Sequence, residues 1–304
     1  MADTPKFEVV TGAFGFVGKY IARSLMARGI AVRTLTAHPL RSDAAENKIE
    51  VAPFNFDDPG ALSDSLCGAT TVFNTYWIRF ERATTTFDRA VQNTKTLIQA
   101  ARRAGVRRFV HISITNASAD SSLPYFRGKG VIEQFLRDSG LSHAILRPAL
   151  IFGDEDILIN NIAWSLRKFP LFAVPGDGAY RVQPVFVEDL ADLALNAAQA
   201  TGNLEIDAVG PEIYRFDELV RLLARAIGRT PRIVHVNPAI ALSAAAVVGW
   251  FHRDVMLTRD EISGLSTDLL VSRGPPTAPT RLSDWLALRA HTIGARYASE
   301  LARR

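Results

Sequence analysis

The ten residues Val9-Val10-Thr11-Gly12-Ala13-Phe14-Gly15-Phe16-Val17-Gly18 constrain this chain most. A β-branched run enters a glycine-rich turn, and an apolar, helix-forming stretch leaves it. Glycines recur at 12, 15 and 18, and the pattern gives each a physical task. Gly12 turns the chain sharply off the strand. Gly15, without a Cβ, lets a pyrophosphate approach the backbone. Gly18 lets the following helix, Phe16 to about Arg28, pack closely on the sheet. The first amides and the positive dipole end of that helix then face the phosphates. A phosphate loop of the ATPase kind is excluded, because five residues rather than four separate Gly12 from Gly18 and Tyr20 follows Lys19. Gly29 ends the helix and a second strand opens at Ala31, which completes a βαβ unit. Phe14, Phe16 and Val17 line the same turn and join the three glycines as candidate cofactor contacts.

The alternation continues. Strands are expected at Ile49 to Phe54, Thr71 to Thr75, Arg108 to Ile114 and His143 to Leu146, with helices at Asp58 to Cys67, Phe87 to Ala104 and Pro124 to Ser139. This order implies an α/β, Rossmann-type, doubly wound parallel sheet covered on both faces. Ligands then lie outside the carboxyl ends of its strands. From about Leu150 the periodicity weakens. The expected division is a dinucleotide-binding domain over 1–150, with 182–201 returning to it. A smaller, mostly helical C-terminal lobe takes 151–181 and 202–304.

Composition narrows the function classes. The net charge is +4, and 29 of the 35 basic residues are Arg, dispersed among acids, so a solvated surface is favoured over nucleic-acid binding. One cysteine, Cys67, allows no intramolecular disulfide and favours the cytoplasm, as does the lack of an apolar leader before the first strand. The six His show no ligand spacing, so no metal site is expected. The apolar run from about Pro238 to Phe251 is too short to span a bilayer; it reads as a packed helix, with membrane-surface contact as the lesser reading.

Tyr125-Phe126-Arg127-Gly128-Lys129 carries the candidate chemistry. In a helix, Tyr125 and Lys129 share a face. A nearby ammonium favours the phenolate, so the pair can exchange a proton with a substrate hydroxyl or carbonyl. Lys129 can also hold the nicotinamide ribose. The third partner, a binder of the substrate oxygen, is Ser113 at a strand end, with Thr115, Ser118 and Ser121 as competitors. Glu188 and Asp189 read as helix-start residues.

These pieces together resemble the short-chain dehydrogenase/reductase superfamily, in its extended and atypical, epimerase-like branch. The chain is similar there to the nucleotide-binding accessory subunits of respiratory complex I. The matching segments are TGAFGFVG (11–18), AARRAGVRRFVHIS (100–113), YFRGK (125–129), LRPALIFG (146–153) and VFVEDLA (185–191), with weaker likeness in LTRDEISGL (257–265). The resemblance implies bound NAD(H) or NADP(H) and Ser113–Tyr125–Lys129 chemistry. It also implies cofactor contacts from Asn55 and Phe56 to the adenine, and from Asn74, Thr75, Tyr76 and the Arg147-Pro148 backbone near the nicotinamide. Only eleven residues separate Ser113 from Tyr125, which shortens the substrate loop and speaks against a nucleotide-sugar substrate. The second strand ends Thr36-Ala37-His38, with Arg41 following and no acid until Asp43. A 2′-phosphate therefore meets no repulsion, and His38 or Arg41 could pair with it. NADP(H) is expected over NAD(H).

The expectation is a small-molecule oxidoreductase acting as a monomer or homodimer. The alternatives are a non-catalytic NAD(P)H sensor or accessory subunit and, third, a nucleotide-sugar epimerase or dehydratase.

Overall fold

Short β-branched runs bounded by glycine or by N-cap residues become the strands of a computed structural model, which describes residues 7–37 and 49–299. In chain order the first unit holds β1 (Phe7–Thr11), β2 (Val32–Thr36), β3 (Glu50–Pro53), β4 (Ala69–Asn74), β5 (Arg108–Ile112) and β6 (His143–Pro148). Helices Phe16–Ala27, Pro59–Leu66, Phe87–Arg103 and Pro124–Asp138 separate them. Further on lie β7 (Leu150–Phe152), β8 (Leu171–Pro175), β9 (Arg181–Val182), β10 (Pro184–Phe186), β11 (Leu204–Ala208), β12 (Tyr214–Arg215) and β13 (Arg232–Val236).

The main sheet has seven strands in the order β11-β6-β5-β4-β1-β2-β3, and β1 to β6 pair in parallel. The strand order reverses between β1 and β4, the position at which a doubly wound sheet opens its ligand crevice. β5 is buried along its whole length, as expected for a central strand covered on both faces. The helices start where the sequence supplies caps. Asp58 accepts from Gly60 and Ala61 ahead of Pro59–Leu66, and Thr86 accepts from Arg89 ahead of Phe87–Arg103.

The chain divides into two compact units. One is formed by the described residues up to Arg147 together with Leu190–Ile206, the other by Pro148–Asp189 with the described residues from Asp207. Arg108 ties the returning segment into the first unit. Its fully buried guanidinium donates from Nε to the Ala197 carbonyl and from Nη1 to the Gly202 carbonyl and the Ser142 hydroxyl. Leu62, Leu66, Leu97, Ile98, Phe109, Ile132 and Leu136 fill the core between sheet and helices there.

The second unit has its own core, built on Phe152, Ile159, Leu219, Leu223 and Trp285. Helices Leu158–Lys168, Phe216–Ala226, Pro238–His252, Arg259–Leu265 and Leu282–Arg289 surround three two-stranded sheets, β10-β7, β12-β9 and β13-β8. The expected helical tail is thus interrupted by β13, which pairs in parallel with β8. Its residues Arg232–Val236 are only half-buried, so no clean alternation marked them in the sequence. The helix Leu158–Lys168 was also not expected. Its sequence is two-sided, but the polar side is built mainly of Asn160, Asn161 and Ser165, which are buried and hydrogen-bonded within the protein rather than facing water.

Candidate active site

The glycine turn sits at the carboxyl end of β1. Gly12 has φ of +66°, which only glycine adopts at no cost, and the Gly15 amide donates back to its carbonyl at 2.8 Å. A Cβ on Gly18 would stand 2.3 Å from the Gly12 carbonyl oxygen and 3.1 Å from the Thr75 hydroxyl. Gly18 therefore packs the helix against the turn itself, where the sequence reading had it packing against the sheet. A Cβ on Gly15 would lie at 3.2 Å from the Gly12 oxygen, with no other close neighbour. Gly15 is also the N-cap of Phe16–Ala27, and neither a capping side chain nor an acidic residue occupies that first turn. The turn thus presents bare backbone and a positive dipole end, as a pyrophosphate requires.

Beneath it lies a buried polar network. The Thr11 hydroxyl donates to Asn74 Oδ1 (3.0 Å) and accepts from the amides of Thr75 (2.8 Å) and Tyr76 (3.0 Å). The Tyr76 amide also donates to Asn74 Oδ1, which fixes the amide orientation of Asn74. Its Nδ2 then donates to His111 Nδ1 at 3.0 Å, and His111 carries its proton on Nε2. Burial, with Lys129 nearby, holds the His111 pKa well below the ordinary range, so the ring is neutral. Asn74 and His111 were not expected to pair. The Asn74 side chain joins β1, β4 and β5, and its polar atoms are consumed inside the protein.

Lys129 and Tyr125 lie on the first turns of Pro124–Asp138. Lys129 is buried; its Nζ donates to the Ile112 carbonyl at 2.7 Å, at the end of β5, and sits 4.6 Å from the centroid of the Trp77 ring. Burial lowers its pKa to about 7, against an opposing pull from Glu133. The flanking glycines make this approach sterically feasible. A Cβ on Gly128 would meet Trp77 at 2.8 Å, and one on Gly130 would meet the backbone of Ser118 and Ala119 at 2.3 Å. Two glycines inside a helix are costly in propensity, and here close packing explains both. The Tyr125 ring rests edge-on against Trp77 and Phe87, with centroids 5.8 and 5.9 Å away.

Ser113 departs from its expected role. Its hydroxyl donates to Glu133 Oε1 at 2.6 Å, and both residues are buried. The one Ser113 proton is thereby committed to a carboxylate rather than to a ligand oxygen. Glu133 is gripped in turn by Arg147, which donates from Nε (2.9 Å) and Nη2 (2.6 Å) to its two oxygens, and by Arg137 at 3.0 Å. Both arginines also pair with Glu205 on β11, whose pKa they hold at about 2. The Arg147 side chain therefore belongs to this ion-pair network, and Arg147 remains a candidate cofactor contact only through its backbone, next to Pro148. Glu133, His111 and the Gly128/Gly130 pair escaped sequence reasoning, although a glycine on each side of a lysine in a helix was a readable sign of tight packing.

The other candidate positions are ordered by their strands. Thr36 is buried at the end of β2. Asn55, with φ of +44°, follows β3, and Phe56 stacks on Phe54 and tilts against Tyr76 at 5.1 Å. The Tyr76 hydroxyl accepts from Asn93 Nδ2. His38 and Arg41 lie outside the described residues. Among the described residues no group of side chains is arranged to hold a metal, and no helix is long and apolar enough to cross a membrane.

The comparisons with known proteins agree with this geometry. Residues 12–161 match the NAD(P)H-binding family. A mitochondrial NADH dehydrogenase [ubiquinone] 1 alpha subcomplex subunit 9 from Arabidopsis thaliana is 26% identical, over 86% of this chain and 70% of its own length. A ceramide reductase from Caulobacter vibrioides is 28% identical over 79% of this chain and 77% of its own. Among solved structures, an NADPH-dependent quinone oxidoreductase from Escherichia coli, complexed with NADPH, superposes with a TM-score of 0.74 at 21% identity, covering 93% of this chain and 99% of that one. A Staphylococcus aureus nucleoside-diphosphate-sugar epimerase gives 0.70 at 16% identity, covering 92% and 99%. Residues 12–161 are thus an NAD(P)H-binding domain, on a Rossmann-like fold shared with these oxidoreductase and epimerase structures, which supports the resemblance read in the sequence. That domain is the part that carries the glycine turn.

Proposed function

We propose that this protein is an NAD(P)H-dependent oxidoreductase of the short-chain dehydrogenase/reductase type, acting on a small carbonyl or hydroxyl compound. The observation that carries the reading is the placement of Lys129. A buried ammonium, one helical turn beyond Tyr125, is held at the carboxyl end of β5, on the sheet edge that also carries the glycine turn.

The dinucleotide, when bound, supplies or accepts the hydride. The chain's own residues do the rest. The Gly12–Gly18 backbone holds the pyrophosphate, Asn55 and Phe56 flank the adenine, and Thr75 and Tyr76 face the ribose toward the nicotinamide. Tyr125 gives its hydroxyl proton to the substrate oxygen in reduction and takes it back in oxidation. Protonated Lys129 eases that loss by favouring the phenolate. Ser113 is left out of this scheme, since its proton serves Glu133. NADPH is the favoured partner, because β2 ends Thr36-Ala37 without an acid.

The test follows NADPH and NADH oxidation by absorbance, with a panel of quinones, aldehydes and ketones. Turnover of at least one compound is expected, and Tyr125→Phe should lower it by about two to four orders of magnitude while leaving dinucleotide affinity within a few-fold. Activity that survives Tyr125→Phe overturns the mechanism.

A second reading is a dinucleotide-binding subunit or sensor without turnover. The commitment of Ser113 favours it, since the usual oxygen binder is then missing. Tight NADPH binding without oxidation by any compound of the panel would select it.

A further inference from the structure

Eight large apolar side chains are exposed among the described residues, and six of them fall on two adjoining segments of the second unit. Phe169 and Leu171 lie at the start of β8. Ile240, Val247, Trp250 and Phe251 lie on the helix Pro238–His252, which packs against β8. Trp164 bridges the segments, its ring 5.8 Å from Phe169 and 5.0 Å from His252.

The helix is inverted relative to an ordinary surface helix. Its inward positions are small, with Ala241 and Gly249 buried, and a Cβ on Gly249 would meet the Asp254 carbonyl at 2.5 Å. Its outward positions are apolar apart from Ser243, whose hydroxyl turns back to the Ala239 carbonyl, and the terminal His252. Ile240, Ala244, Val247 and Phe251 recur at helical spacing, and no charged residue stands between Asn237 and His252. The exposed face ends in an aromatic pair, Trp250 and Phe251, 76% and 72% exposed with rings 4.9 Å apart. A contiguous apolar face of this size on a water-soluble surface marks a contact site.

Its border identifies the occupant. Lys168 precedes Phe169, Arg232 sits beside Leu171 in the β13–β8 register, and Arg253 caps the helix; all three are exposed. Asp254, the acid next to Arg253, accepts from the Tyr297 hydroxyl. An apolar helix lying flat with a Trp at one end and a basic rim matches the interface of an anionic lipid bilayer. The apolar side chains enter the acyl boundary, Trp settles at headgroup depth, and the bases meet lipid phosphates. A protein partner would supply fixed acids opposite fixed bases. Here the bases are spread along the edges of a smooth apolar strip, which suits a fluid layer of negative charge. We propose that the helix Pro238–His252, with Phe169 and Leu171, docks this protein on the surface of an anionic membrane.

Sedimentation of the full chain with vesicles tests it. Binding is expected to phosphatidylcholine vesicles containing phosphatidylserine, to fall several-fold with phosphatidylcholine alone, and to weaken with salt. The double variant Trp250→Ser, Phe251→Ser should lose roughly tenfold or more in affinity. Its thermal midpoint should match the parent's, because both side chains are exposed. Lys168→Glu with Arg232→Glu should weaken binding to the anionic vesicles alone. Trp250 fluorescence should shift to the blue on binding, since Trp164 and Trp285 are already buried. Failure to bind either vesicle overturns the proposal, as does equal binding by the Trp250/Phe251 variant. Equal binding to both vesicles removes the anionic requirement and overturns it in that form. A dimer in sedimentation velocity that the same variant dissociates, without vesicle binding, would assign the face to a second copy instead.

Discussion

The glycine turn and the Tyr125–Lys129 end of the first unit serve one crevice edge but are built in opposite ways. The turn is made of backbone. Gly12, Gly15 and Gly18 act through what they lack, and their partners are each other and Thr75. The reactive end is made of side chains whose partners are remote in sequence. Lys129 depends on Ile112 and Trp77, and Ser113 depends on Glu133, which Arg147 holds in place. The lesson is that a change at Gly15 should act on ligand affinity, whereas one at Glu133, Gly130 or Ser113 should first act on the fold.

The sharpest way to break that contrast is Glu133→Ala. It would leave the Arg147 and Arg137 guanidiniums facing a half-empty pocket and Ser113 without its acceptor. Unfolding in urea should show a loss of about 3 kcal/mol, the low end for breaking a buried ion pair from one side, because both arginines keep Glu205. A stability unchanged from the parent would mean that the network contributes nothing to the fold. Gly130→Ala comes next, because its Cβ would overlap the Ser118–Ala119 backbone. About 1–3 kcal/mol of destabilisation is expected from overpacking.

Gly15→Val probes the other side. Its φ of −83° suits any residue and the Gly12 oxygen at 3.2 Å is its one close neighbour, so the melting temperature should hold while calorimetry shows NADPH affinity reduced by roughly tenfold or more. Loss of the fold with no separate loss of binding would erase the distinction between the two regions. Ser113→Ala should lower turnover only a few-fold and cost about 1–3 kcal/mol of stability, as expected when a buried acceptor loses its donor. A fall in turnover of orders of magnitude would restore Ser113 as the oxygen binder.

The last expected effect is a slope with pH rather than a step at one condition. Lys129 has its pKa depressed from 10.5 to about 7 by burial, so between those values the folded state binds fewer protons than the unfolded one. Stability should rise with pH across that window. Lys129→Met removes the group and should flatten the rise in a series of thermal melts.

This asymmetry also decides what the sequence discloses. The order of β1 to β6, and the turn between β1 and its helix, follow from local periodicity and glycine spacing, and both were legible. So was the helix that carries Tyr125 and Lys129 one turn apart. The fate of Ser113 was not, because Glu133 lies twenty residues away and only packing of Pro124–Asp138 against β5 brings it near. Nor was the Asn74–His111 bond legible, since it joins neighbouring strands whose registers the sequence leaves open. In the second unit, β13 and the helix Leu158–Lys168 went unread for a different reason: the strand is only partly buried and shows no alternation, and the helix turns amide and hydroxyl side chains inward where charged ones would have marked a solvated face.

Arg108 carries a consequence for how such a chain can be divided. Its guanidinium closes on carbonyls contributed by Ala197 and Gly202, after the polypeptide has left the first unit and returned. One break between Arg147 and Pro148 would leave a fragment with its edge strand β11 missing and a buried cation stripped of both carbonyl acceptors, with only the Ser142 hydroxyl left. The nucleotide-binding half is therefore not a portable cassette. It becomes whole only when a distant stretch of the same polypeptide is threaded back, and a split protein should regain it by complementation between fragments rather than from the N-terminal piece alone.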